Sequence, residues 1–185
     1  MSFHWLGRLL RGVRAGDRHS LANRPALIGV PETISLESEW FGNGGPMPLR
    51  STGRGGDISP PLMWRNIPEG TVELAIVMED PDVPTPRPAV HMIACGIAPD
   101  RAGMAEGALA RGASNVCFGK GTVGTQGYRG PGPPPGHGPH RYVFYILALN
   151  RRTEFQSPPR LKKFLKEVAG AVVAYGRLIG VYERS

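Results

Sequence analysis

Apolar positions follow two rhythms along this chain. Through the middle they form short, nearly unbroken blocks at residues 71–78 (TVELAIVM), 90–98 and 142–149 (YVFYILAL). Blocks of this length, rich in β-branched and aromatic residues, predict strands buried on both faces. The first is expected to be a central strand, with 90–98 as its partner. Residues 34–38 alternate apolar and polar and predict a first strand, and 178–183 a short last one. Near the two ends the period becomes helical. Phe3, Leu6, Leu9, Leu10 and Val13 share one stripe, while Arg8, Arg11 and Arg14 fall elsewhere, which predicts an amphipathic helix within residues 1–15. Leu161, Phe164, Leu165, Val168, Val172 and Tyr175 mark one face of a second helix, with Lys162, Lys163, Lys166 and Glu167 on the other. Pro158 and Pro159 precede it and Gly176 is the expected stop, so it should occupy 158–175.

The connections sharpen this outline. With 26 glycines and 19 prolines the chain is built for many turns and short strands, not for a helical bundle. Gly42-Asn43-Gly44-Gly45-Pro46 and Gly53-Arg54-Gly55-Gly56 read as turns, and the prolines at 60 and 61 fit an edge position. Trp64 is expected as a core anchor. Residues 16–31 read as a linker, 101–112 as a loop with one helical turn, and 119–138 as one long irregular segment, a length that in a compact domain is usually functional. Strands fill the middle and helices lie at the ends, so the fold class is mainly β with antiparallel sheets. The expected organisation is an N-terminal amphipathic helix and linker over 1–31, then a single domain over 32–185.

A net charge of +7 and a pI near 9.9 favour anionic partners, although a solvated basic face explains them as well. Nucleic acid is not an expected partner. Cys95 lies inside an apolar run and reads as a buried thiol, and its spacing from Cys117 suggests neither a disulfide framework nor a metal site. No metal and no cofactor are expected. No apolar run is long enough to span a bilayer, and Arg8, Arg11 and Arg14 interrupt any signal-peptide core, so a cytoplasmic location is expected. The N-terminal stripe has two readings. It packs on the protein's own body or on the mate in a homodimer, or it rests on anionic lipid through Trp5 and the arginines as a peripheral membrane contact.

Candidate chemistry gathers at strand ends. Asp80-Pro81-Asp82-Val83-Pro84 follows the first central block, His91 opens the second, and His140-Arg141-Tyr142 opens the third. A Pro- and Gly-rich loop, 127–139, precedes that last triplet. Two histidines and a carboxylate could hold a metal, run acid–base chemistry or bind an anion. No nucleophile elbow or zinc-protease motif is present, Ser51, Ser59 and Ser114 lack a nucleophile's local context, and Cys117 reads as structural. Anion binding fits best, and an enzyme is not the expected class. The alternative is a hydrolase or transferase using His91, His140 and Asp80. The plain reading stands beside both: Asp-Pro-Asp as a turn and His-Arg-Tyr as a hydrogen-bonded corner.

Asp80-Pro81-Asp82-x-Pro84, His91, Gly127-Tyr128-x-Gly130-Pro131-x-Pro133-Pro134-x-Gly136 and His140-Arg141-Tyr142 resemble the phosphatidylethanolamine-binding protein family, its bacterial Raf-kinase-inhibitor-like branch above all. Asp57-Ile-Ser-Pro-Pro-Leu-Met-Trp64, Asn115, Phe118-Gly119 and the end at 178–184 are similar as well, so the resemblance covers about residues 32–184. It implies a β-sandwich with Greek-key connections and a C-terminal helix, with the N-terminal helix as an addition. It also implies a small pocket for phosphate-like or carboxylate-like groups, formed by Asp80, Asp82, His91, His140 and Tyr142 with Tyr128, Gly130 and Pro131 as its rim. Some relatives dock on kinases or other enzymes, so a regulated protein partner is a further expectation. The stretch around residues 121–125 is longer than the family pattern.

Overall fold

The structure, a computed structural model, describes residues 4–114 and 116–184. Phe3 and Asn115, used above, lie outside them. Nine strands follow a short helix α1 (His4–Leu9): β1 (Ser35–Glu37), β2 (Gly45–Pro46), β3 (Leu62–Arg65), β4 (Glu73–Asp80), β5 (Ala89–Ile97), β6 (Gly103–Met104), β7 (Cys117–Phe118), β8 (His140–Leu149) and β9 (Val172–Tyr182). Helix α2 (Leu161–Val168) sits between β8 and β9. Six strands form one sheet in the order β2-β9-β8-β4-β5-β7, and β1-β3-β6 form a smaller one. The pairing is antiparallel except for β2 on β9. The fold is therefore mainly β, in two sheets, as the apolar blocks predicted.

The unbroken apolar run of β4 has a direct cause. Leu74, Ile76 and Met78 point into the core between the sheets, with Leu62, Trp64, Phe144 and Ile146. Ala75 and Val77 point the other way, into a second core with Tyr145, Leu147, Phe164 and Val168. An antiparallel sheet shows polar–apolar alternation only where one face meets water. Here α2 and the N-terminal segment cover that face.

Three sequence expectations are corrected. The second helix stops at Val168, because Gly170 takes φ 71° and turns the chain back. Val172 and Tyr175, read as its face, belong to β9, which pairs with β8 along its whole length. Spacings of four and three between residues 168, 172 and 175 mimic a helix, but Val172-Val173-Ala174-Tyr175 is β-branched and aromatic, and burial along β9 alternates every second residue. Gly176 is no helix stop. A Cβ there would lie 2.1 Å from the Ile34 carbonyl oxygen, so glycine permits that close crossing. At the N-terminus, the helix is limited to α1. Residues 16–31 are packed: Leu21 is fully buried and Ala26 and Leu27 nearly so, all in the second core. Burying a leucine side chain stabilises by about 1.5–3 kcal/mol, which fastens this segment to the sheet.

Candidate functional site

The central strands deliver the site. Asp80 ends β4, His91 is third in β5, and His140 and Tyr142 open β8, with β4 hydrogen-bonded between β5 and β8. Asp80, His91 and Tyr142 line a cavity of about 160 Å³, closed by Arg129, Gly130, Gly132, Pro133 and Pro134 of the loop before β8 and by Thr122 and Val123. The longer stretch at 121–125 forms part of this wall. It is pinned by two bonds between residues 90 and 122, Val90 N–H to Thr122 Oγ1 and Thr122 N–H to the Val90 carbonyl, each 2.8 Å.

Asp80 is committed on both oxygens. Oδ1 accepts the Asp82 N–H at 2.8 Å and Oδ2 accepts from His140 Nδ1 at 2.7 Å. His140 is fully buried, and its Nε2 meets His137 Nδ1 at 2.7 Å. His137 Nε2 donates in turn to the Val13 carbonyl at 3.2 Å. A carboxylate and a carbonyl can only accept, so these three bonds require three N–H groups on two rings. The pair therefore carries one positive charge. Burial, and then the neighbouring His140, lower the pKa of His137. The result is a buried ion pair behind the cavity wall, tied to the N-terminal segment.

His91 donates from Nδ1 to the Arg129 carbonyl at 2.8 Å, which leaves Nε2 unengaged among the described residues. Burial holds its pKa below the ordinary 6.5, so the ring is neutral at pH 7 and Nε2 is an acceptor. Tyr142 meets His91 edge to face, with ring centres 5.2 Å apart. Its hydroxyl is buried beside Asp80 and the Gly132 backbone, whose polar atoms approach it but are placed too poorly to complete a hydrogen bond. A buried hydroxyl in that state costs free energy until something accepts from it.

Residues 37–183 match the family model described as phosphatidylethanolamine-binding protein. This chain belongs to that family. A UPF0098 protein of Pyrococcus horikoshii is 35% identical over 161 residues, which cover 84% of this chain and 80% of that protein. LppC of Mycobacterium tuberculosis, named as a lipoprotein, is 36% identical over 164 residues, 88% of this chain and 77% of its own. A solved phosphatidylethanolamine-binding protein homologue from Chlamydia trachomatis superposes with a TM-score of 0.76 at 31% identity, covering 83% of this chain and 99% of that one. No helix among the described residues is long and apolar enough to cross a membrane.

Against the family pattern, the eight expected site residues divide. Asp80, His91, Gly130 and Tyr142 line the cavity. His140 lies behind Asp80, and both its nitrogens are engaged. Asp82 faces away from the cavity. It holds the Arg141 guanidinium through both oxygens, at 2.8 and 3.0 Å, accepts the Arg141 N–H, and meets Arg14 at 3.2 Å. Burial alone would raise its pKa, but the Arg141 and Arg14 contacts hold it below the usual carboxylate value. Tyr128 donates its hydroxyl to the Ser51 carbonyl at 2.8 Å, and the Pro131 carbonyl accepts from Gly53 N–H. Both shape the loop from outside. Gly130 is held by Asp57, which accepts its N–H at 2.8 Å, and a Cβ at 130 would lie 2.1 Å from the Ser51 carbonyl oxygen.

Sequence reasoning missed Arg129, His137 and Arg14. The signal for His137 was present as His137-Gly-Pro-His140, two histidines three residues apart on one stiff loop. Arg14 gave none, because its contact with Asp82 spans 68 positions and only the fold joins them.

Proposed function

We propose that the protein binds a small anion of the phosphate-ester or carboxylate class in the cavity of Asp80, His91 and Tyr142. The Tyr142 hydroxyl, buried beside Asp80 and Gly132 without a completed hydrogen bond, carries this reading. It is a fixed donor whose burial has already been incurred, so a ligand oxygen gains the full bond. A cavity of about 160 Å³ suits one phosphate-sized group, with the rest of the molecule outside. Arg129 at the mouth supplies positive charge. Gly130 and Gly132 let the backbone come close, and the prolines hold the wall rigid.

His91 sets the preferred ionisation. Its neutral Nε2 accepts from a ligand O–H, which the monoanion of a phosphate monoester has and the dianion lacks. Affinity should therefore fall as pH rises through about 6, the second phosphate pKa. A sulfonate has no such proton, so its affinity should not show that fall. The hydrolase or transferase reading is weaker, because His140 is sealed between Asp80 and His137 and is not itself part of the cavity lining. A cytoplasmic location belongs to the same proposal, and the relative named as a lipoprotein makes fractionation of the native protein its natural check.

Calorimetric titration with methyl phosphate, on wild type and Tyr142→Phe, tests the reading. Loss of one hydrogen bond to a charged group should weaken binding by about 1.5–3 kcal/mol, roughly ten- to a hundredfold. The melting temperature should hold or rise, because the hydroxyl removed had no partner. Unchanged affinity in Tyr142→Phe contradicts the proposal.

A further inference from the structure

On the far side of Val90 and Thr122 the surface opens into a groove of about 960 Å³. Four segments build it: Arg24 and Pro25, residues 85–88 between β4 and β5, residues 120–122, and the start of α2. Arg24, Arg87, Lys120, Arg160 and Lys162 line it, and no Asp or Glu does. None of the five is ion-paired with a described residue. That is unusual placement for five cations, since surface charges of both signs are normally interspersed.

Three further features point to an anion. The Arg24 Nε is buried with no hydrogen-bond partner among the described residues. Arg160 is spread across the floor by long contacts, 3.4 Å each, to the carbonyls of Gly121 and Thr122. Helix α2 begins at the groove with no side-chain cap and no acidic residue in its first turn, so its N-terminal N–H groups add positive potential there. The walls between the charges are apolar, with Pro25, Pro86, Leu161 and Leu165 among them. Arg24 and Pro25 lie outside the span matched by the family model, so part of this groove is an addition to the shared domain.

We propose that this groove is a second anion site, which takes an organic di- or polyphosphate. Its cations hold the phosphate chain and its proline and leucine walls hold the organic part. The volume lies at the upper end of small-ligand sites, ample for such a molecule. A single phosphate would leave most of the cations unmatched. The site stands on its own residues and does not require the smaller cavity to be occupied.

The test is calorimetric titration of the full chain with inorganic phosphate, pyrophosphate, tripolyphosphate and a nucleoside diphosphate, at low salt and at about 0.15 M. The side chains of Arg87 and Lys162 are exposed and make no hydrogen bond with a described residue, so Arg87→Ala with Lys162→Ala should fold normally. Lys163→Ala with Lys166→Ala removes the same charge from α2 outside the groove. Tripolyphosphate should bind wild type more tightly than phosphate does, and should lose about tenfold or more in the groove variant. It should lose little in the control variant or in Tyr142→Phe. The nucleoside diphosphate should bind more tightly than pyrophosphate. Equal losses in groove and control variants would reduce the effect to net charge and overturn the site. Loss in Tyr142→Phe would assign the binding to the smaller cavity instead. Tighter binding of an acidic peptide such as hexaglutamate, or adsorption to anionic vesicles that needs Arg87 and Lys162, would overturn the choice of occupant.

Discussion

Glu79→Gln should change how stability depends on pH. Glu79 is fully buried on β4 in the second core. Its Oε1 accepts from Leu21 N–H at 2.7 Å and from the Tyr145 hydroxyl at 3.0 Å, while Oε2 has no partner among the described residues. Burial raises its pKa from 4.5 to about 7, against the opposing pull of those two donors and of Arg24. The sign follows from proton counting. Between these two values the folded protein keeps a proton that the unfolded chain has lost, so stability is full below about 4.5 and declines as pH rises to about 7. Each pH unit is worth about 1.4 kcal/mol, so the whole interval comes to about 3 kcal/mol. Glutamine keeps the acceptor at Oε1 and cannot ionise. Urea unfolding of both proteins at about pH 5 and pH 8 should therefore show the variant gaining about 2–3 kcal/mol on wild type between the two conditions. Comparing the proteins cancels the opposite trend from Asp82, whose lowered pKa removes stability in acid. Parallel stability curves across that range would refute the buried, protonated Glu79.

Other consequences are as direct. Asp80→Asn removes the counterion of the charged histidine pair and should cost about 3–5 kcal/mol, read by urea unfolding; an unchanged midpoint would mean the pair is neutral. Deleting residues 1–16 removes the Val13 carbonyl, the Arg14 contact with Asp82 and the N–H donors of Ala15 and Gly16 to the Val83 and Pro81 carbonyls. Hydrogen exchange should then speed up in the 80–84 turn and in β8, which a segment independent of the pocket would not cause. Gly130→Ala should abolish binding of methyl phosphate, because its Cβ would meet the Ser51 carbonyl at 2.1 Å and displace the loop.

Much of this was legible in the sequence, and the gaps have physical reasons. β4, β5 and β8 were readable because strands covered on both faces leave continuous apolar blocks. Asp80, His91 and Tyr142 were readable because they stand where those blocks begin or end. The division between α2 and β9 was not, since Val168, Val172 and Tyr175 recur at helical spacing, and Gly170 settles the matter through its positive φ. The packing of residues 16–31 was hidden because only Leu21, Ala26 and Leu27 do the anchoring, too few to show a period. Asp82 looked like a ligand group because the family resemblance carries it over with Asp80, while its partner Arg141 sits in a separate motif, and nothing in the spacing tells a salt-bridged aspartate from a free one.

The central claim is that an anion occupies the cavity and accepts from Tyr142. Diffraction from crystals grown with methyl phosphate at about pH 5.5 tests it most directly. The account predicts a phosphate oxygen about 2.5–2.8 Å from the Tyr142 hydroxyl and a second within hydrogen-bonding distance of His91 Nε2. Methyl phosphate bound elsewhere at saturating concentration, with Tyr142 still unpartnered, would contradict it.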